Sequence, residues 1–126
     1  MAHLNSTPDN FSITLNYSTY ATFATGAQVK LVPKNIDGTV FDCTGMNAAS
    51  LNYFYPSPGN AERQANQPIT VGTADATGIV LSLTPAQATA IAATMTNTNA
   101  PADITISNGT DTMIAGKGNV ALNLVP

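Results

Sequence analysis

Phe11, Ile13, Leu15 and Tyr17 alternate with Ser12, Thr14 and Asn16, the two-residue period of a strand with one face on a core and the other in water. Residues 78–95 change period abruptly. Ile79, Leu81 and Leu83 alternate with Val80 and Ser82, and Ala88, Ile91 and Met95 then follow at helical spacing. Thr84 stands where an N-cap belongs, Pro85 at the first helical position, where a missing N–H costs nothing, and Gln87 where it completes a capping box. Leu83 and Ala88 occupy the positions of a hydrophobic staple. The pattern predicts a strand running directly into a short helix.

Further strands are predicted at residues 28–32, which Pro33 ends, at Val40 and Phe41 after the Asp37-Gly38 turn, and at residues 50–55, 68–73, 102–107 and 110–115. Val120, Leu122 and Leu124 alternate in a closing strand, with Gly116-Lys117-Gly118 before it read as a turn. Asn108-Gly109 predicts a hairpin. A two-residue loop would set Ile104 against Met113, whereas a loop of residues 108–111 would set Ile106 against Met113. Residues 1–10 lack periodicity and predict an arm, residues 11–126 a single β domain, and residues 56–67 a long exposed loop. Seven or eight short strands with one helix in a crossover predict an all-β sandwich of immunoglobulin-like build, with a small barrel as the alternative.

A chain of 126 residues buries about 66% of its unfolded surface, enough for one core and too little for two. Charged residues are 9% of the chain, while it holds 18 Thr, 13 Asn and 19 Ala. About 25% charge is usual, so the surface must be mostly neutral and polar. Only four residues are basic, Lys30, Lys34, Arg63 and Lys117, and they are scattered, which offers no stripe for nucleic-acid phosphates. The first residues lack the basic start and apolar run of a signal peptide, and no stretch approaches the ~20 apolar residues of a membrane span. Synthesis in a cytoplasm and no membrane partner are the resulting expectations. Cys43 is the single cysteine, which excludes an internal disulfide and a cysteine-based zinc site.

Catalytic chemistry finds few candidates. The one histidine, His3, falls in the arm, and the carboxylates stand mostly beside Gly, Thr or Asn, where turns and caps employ them. No Asp-x-Asp-x-Asp loop offers a calcium site, so no metal, cofactor or enzymatic activity is expected. Contact with partners is expected instead at His3 and Leu4 of the arm, at Tyr53 and Tyr55 of the Tyr53-Phe54-Tyr55 run, and at Glu62 and Arg63 of the loop.

The order of Asp37-Gly38-Thr39-Val40-Phe41-Asp42-Cys43-Thr44-Gly45, then Gly78-Ile79-Val80-Leu81-Ser82-Leu83-Thr84 with its helix, then Ala102-Asp103-Ile104-Thr105-Ile106 and Gly116 leading to Val120, resembles the immunoglobulin-like modules of tailed-phage virions. The likeness covers roughly residues 11–125 and extends to the N-terminal domain of baseplate upper proteins and to head-decoration or fibre modules. It implies a cement or decoration protein, a homotrimer bound to the major capsid protein on the outside of the head. The other role it implies is a tail, baseplate or fibre module that binds a host receptor or surface glycan. A charge-poor acidic domain suits the first role, because many copies can pack closely with little repulsion and stay off packaged DNA.

Overall fold

The computed structural model describes residues 6–18, 23–24, 27–56, 62–95 and 99–125. Its strands are β1 (Ser6–Thr7), β2 (Asp9–Ser18), β3 (Phe23–Ala24), β4 (Ala27–Leu31), β5 (Lys34–Asn35), β6 (Ala48–Pro56), β7 (Glu62–Asp75), β8 (Gly78–Leu83), β9 (Asn99–Ser107) and β10 (Thr112–Val125), with one helix, α1 (Pro85–Thr94), between β8 and β9. The fold is all-β with one short helix. The main sheet runs β3-β2-β10-β9-β6-β7-β8-β4, and β1 pairs separately with β5.

β7 carries the chain around the corner of the fold. Its first half pairs with β6 from Glu62 to Ile69, and its second half with β8 from Thr70 to Asp75. An extra residue at Gly72-Thr73 shifts the β7–β8 register, and a strand that changes layers needs such a bend. β2, next to the short end strand β3, then packs beside β4 at the other end, so the sheet is nearly closed. Asp9 stitches this seam, its Oδ2 accepting a 2.8 Å hydrogen bond from the backbone N–H of Val32. Inside lie Ile13 and Leu15 from β2, Leu31 from β4, Leu51 and Tyr53 from β6, Ile79 and Leu81 from β8, Ile104 and Ile106 from β9, and Val120 from β10.

The helix closes one end. Thr84 caps it as predicted: the Gln87 N–H donates to Thr84 Oγ1 at 3.2 Å and the Thr84 N–H donates to Gln87 Oε1 at 3.0 Å. Ala88, Ile91 and Ala92 are its buried residues, set against strands of both layers. At the other end the connection from β4 to β6 crosses the barrel mouth and buries Cys43 and Met46. Backbone hydrogen bonds from Cys43 N to Asp75 O (2.9 Å) and from Asn47 N to Ser107 O (3.0 Å) tie it down.

Three expectations need correction. Residues 116–118 form no turn. β10 is continuous from Thr112, with a bulge between Ile114 and Gly116. Met113 and Ala115 face inward before the bulge and Gly116 and Val120 after it, so the inward phase moves from odd to even numbers. The loop expected at residues 56–67 is cut short, because β7 already begins at Glu62. The start of the chain is also engaged earlier than the arm reading expects: Ser6 and Thr7 pair with Asn35 and Lys34, and β2 opens at Asp9. The hairpin takes its longer form, with Ile106 opposite Met113.

Candidate functional site

Ionisable side chains gather at the end of the barrel away from the helix. Asp37-Gly38-Thr39, Asp42-Cys43-Thr44 and Asp75-Ala76-Thr77 repeat one turn. In each, the aspartate Oδ1 accepts a 2.6 Å hydrogen bond from the threonine hydroxyl, and a second from the threonine N–H at 3.0, 3.0 and 2.8 Å respectively. The hydroxyl first and the N–H second hold all three carboxyls below the ordinary carboxylate range. Such groups bind fewer protons when folded than when unfolded, so their stabilisation is present above about pH 4 and is lost as pH falls through the folded pKa. Changing Asp37, Asp42 and Asp75 together to Asn is expected to flatten the fall of the urea midpoint between about pH 4 and pH 2. A profile that stays as steep as the wild type would contradict this.

Cys43, the middle residue of the second turn, is fully buried, and its backbone N–H donates to the Asp75 carbonyl of the third. Burial, then the negative charges of Asp42 and Asp75, pushes its thiol up to about 11. A neutral buried thiol is a packing group rather than a nucleophile. Among the described residues no grouping of three or more His, Cys, Asp or Glu could hold a metal ion, and no helix is long and apolar enough to cross a membrane.

The first of these turns forms the tip of a short loop, residues 35–40. Asn35 N–H donates to Thr39 O at 2.7 Å, Gly38 N–H donates to Asn35 O at 2.9 Å, and Asn35 Nδ2 donates to Thr39 Oγ1 at 3.0 Å. Asp37 adds its two bonds to Thr39, and Gly38 takes the positive φ of 90° that the tight turn demands. This bonded loop holds out Ile36, which is 78% exposed, with Val40 also exposed. β1 pairs with β5 at the root of the same loop, so Ser6–Thr7 and Ile36 share one end of the molecule.

The predicted contact residues distribute unevenly. His3 and Leu4 lie outside the described residues. Tyr53 is 2% exposed and belongs to the core, because the β6 alternation that turns Leu51 inward turns Tyr53 inward too. Tyr55 pairs with Arg63 and Pro56 with Glu62, which brings Tyr55, Glu62 and Arg63 to one end of the β6–β7 ladder. Ile36 and Val40 escaped the sequence reading. Their signal is apolar residues set among turn formers, where polar ones belong. No protein-family model matches this chain, and no curated protein matches it.

Proposed function

We propose that this chain is a structural protein of a tailed-phage virion, working by docking rather than by catalysis, as a homotrimeric cement or decoration protein on the major capsid protein at the outer surface of the head. The supporting observation is the Ile36 tip. A singly exposed apolar residue is ordinary on a protein surface. This one sits on a loop already stiffened by its own hydrogen bonds, so docking it into a partner's pocket immobilises little further chain. Ser6 and Thr7, paired at the root of the loop, supply a second segment for the same contact. The turn aspartates at this end spend Oδ1 on their own threonines and stay ionised, so the apolar tip is framed by negative charge.

Ile36→Glu should leave the fold intact, since the side chain makes no core contact, and should cut attachment to purified capsids by about tenfold or more. Mass spectrometry of purified virions and light scattering of the isolated protein complete the test. A chain missing from virions, a monomer at high concentration, or an Ile36→Glu variant that binds capsids like the wild type would each count against the corresponding part of the reading.

A further inference from the structure

The end that carries Ile36 also carries an apolar groove. β7 leaves β6 after the Ile69–Ala49 pair and takes up β8 from Thr70, while β6 stays paired with β9 as far as Ala48–Ser107. The outer face is left open where β7 departs. Ala48, Ala49, Pro68 and Ile106, with the hydroxyl residues Ser50 and Thr105, line a groove of about 280 Å³ there. The connection that bears Ile36 runs straight into it: Asn47 N–H donates to Ser107 O at 3.0 Å, and Ala48 follows.

Despite its hydroxyl residues the groove is lined almost wholly by carbon. Asn52, 8% exposed and two residues along β6, gives the reason. Its Oδ1 accepts from Ser50 Oγ at 3.1 Å, and its Nδ2 donates to Thr105 Oγ1 at 3.4 Å and to Asp103 Oδ1 at 2.8 Å. The hydroxyls are drawn along the sheet toward Asn52, and the groove keeps methyl, methylene and ring surface.

The chain's charge is gathered at the same end. Asp103 stands opposite Lys117 across the β9–β10 pair, and Glu62 and Arg63 are consecutive at the far end of the β6–β7 ladder, so each of these pairs is locally neutral. The remaining charged side chains are Asp9, Asp37, Asp42, Asp75 and Asp111 with Lys30 and Lys34. Asp9 is bonded to Val32 N–H, Asp75 ends β7 and Asp111 closes the β9–β10 hairpin beside the groove, which places them at the Ile36 end with the Asp37 and Asp42 turns. Five carboxylates against two lysines carry there the whole net charge of -3. A second copy meeting this end would bring like charge against it, and a nucleic acid or an anionic membrane would be repelled as well.

We propose that the partner of this end is a protein surface presenting an aliphatic side chain flanked by lysine or arginine. The aliphatic group fills the groove, the basic residues face the turn carboxylates, and Ile36 enters the partner beside them. Charge complementarity steers the encounter and apolar burial holds it. The proposal rests on the reading of the Ile36 end as the docking end.

The probes are the acetylated and amidated pentapeptides Lys-Lys-Leu-Lys-Lys, Lys-Lys-Ser-Lys-Lys and Glu-Glu-Leu-Glu-Glu, titrated into isotope-labelled protein and followed by amide NMR. The basic leucine peptide should bind with a Kd on the order of 1 mM. Its shifts should be confined to residues 36–44, 48–50, 75–77 and 105–111. The serine peptide should bind about tenfold more weakly for want of the buried side chain, and the acidic peptide should not bind. Raising salt from about 50 to about 300 mM should weaken the leucine peptide about fivefold. Changing Asp37, Asp42 and Asp75 together to Asn should do the same. Ala48→Gln fills the groove from an exposed position without adding charge, and should bring the leucine and serine peptides within about twofold of each other. Absence of shifts, shifts spread over other faces, equal binding of the leucine and serine peptides, or binding of the acidic peptide each overturn the proposal. The peptide series decides the matter even if Ala48→Gln does not fold. A chain that holds to capsids yet ignores the basic leucine peptide sinks this proposal alone, whereas one that binds the peptide and is missing from virions sinks the virion reading alone.

Discussion

Gly118→Ala is expected to be the most destabilising single methyl group that can be added to this chain's strands. Gly118 pairs with Phe11 where β10 runs parallel to β2, and a Cβ built on it would stand 1.7 Å from the Phe11 carbonyl oxygen and 2.7 Å from the carbonyl carbon. Both atoms are backbone, so no rotamer change relieves the clash. The two strands would have to separate. That breaks the ladder from Gly116–Asp9 to Val125–Ser18, the pairing that joins the first long strand to the last. A cost on the order of 4 kcal/mol or more follows, against a total stability of about 5–15 kcal/mol. Gly109→Ala is the control: its φ of 93° makes the substitution strained, yet nothing lies within 4 Å of the added carbon, so about 1–2 kcal/mol is expected. Thermal unfolding by circular dichroism separates the cases. A Gly118→Ala variant as stable as Gly109→Ala would show that the close approach of β2 to β10 is absent in solution.

Gly118 also marks where reading the chain fails. In sequence, Gly116-Lys117-Gly118 resembles a turn, because glycine pairs usually supply the positive φ angles that turns need. Here the glycines serve proximity. They let β2 and Leu31 approach a strand that keeps running, and that requirement is set by residues about 85–107 positions away, which local pattern cannot report. The inward phase of Met113 and Val120 differs by one residue, and this mismatch was the available signal of a bulge. The first half of β7 was hidden for another reason. Gln64, Asn66 and Gln67 have poor strand propensity, and they are strand only because β6 lies alongside to pair with them.

Where local chemistry alone decides, the sequence was legible. The Thr84 cap with Gln87 and the alternation of Phe11, Ile13 and Leu15 are present as expected. The Asp-x-Thr turns follow from side chains that bond their own backbone two residues on. The proposed contact features were harder to see. Ile36 is conspicuous only once its loop is known to be rigid. The hydrogen-bond network around Asn52 needs Ser50 beside Thr105 and Asn52 beside Asp103, pairs 55 and 51 positions apart that the sheet register alone brings together.

A notch between the two layers gives the second large effect. Leu31, at the end of β4, is fully buried, and its two methyl carbons lie over Gly116 of β10: a Cβ on Gly116 would stand 2.9 and 3.2 Å from them and 3.0 Å from Phe11 Cδ1. Leucine and glycine are therefore complementary parts of one contact across the seam. Leu31→Ala should empty the notch and cost about 2–5 kcal/mol. Gly116→Ala alone should overfill it and cost about 1–3 kcal/mol. Combined, the new methyl group enters space that Leu31 has left, so the double variant should be more stable than the sum of the single losses predicts, by about 0.5–3 kcal/mol. Phe11 still stands close to the added carbon, which keeps the rescue partial. Urea unfolding of the wild type and the three variants measures the coupling directly. Strict additivity would mean that Leu31 and Gly116 do not share this contact, and the seam between β4 and β10 would then need a different description.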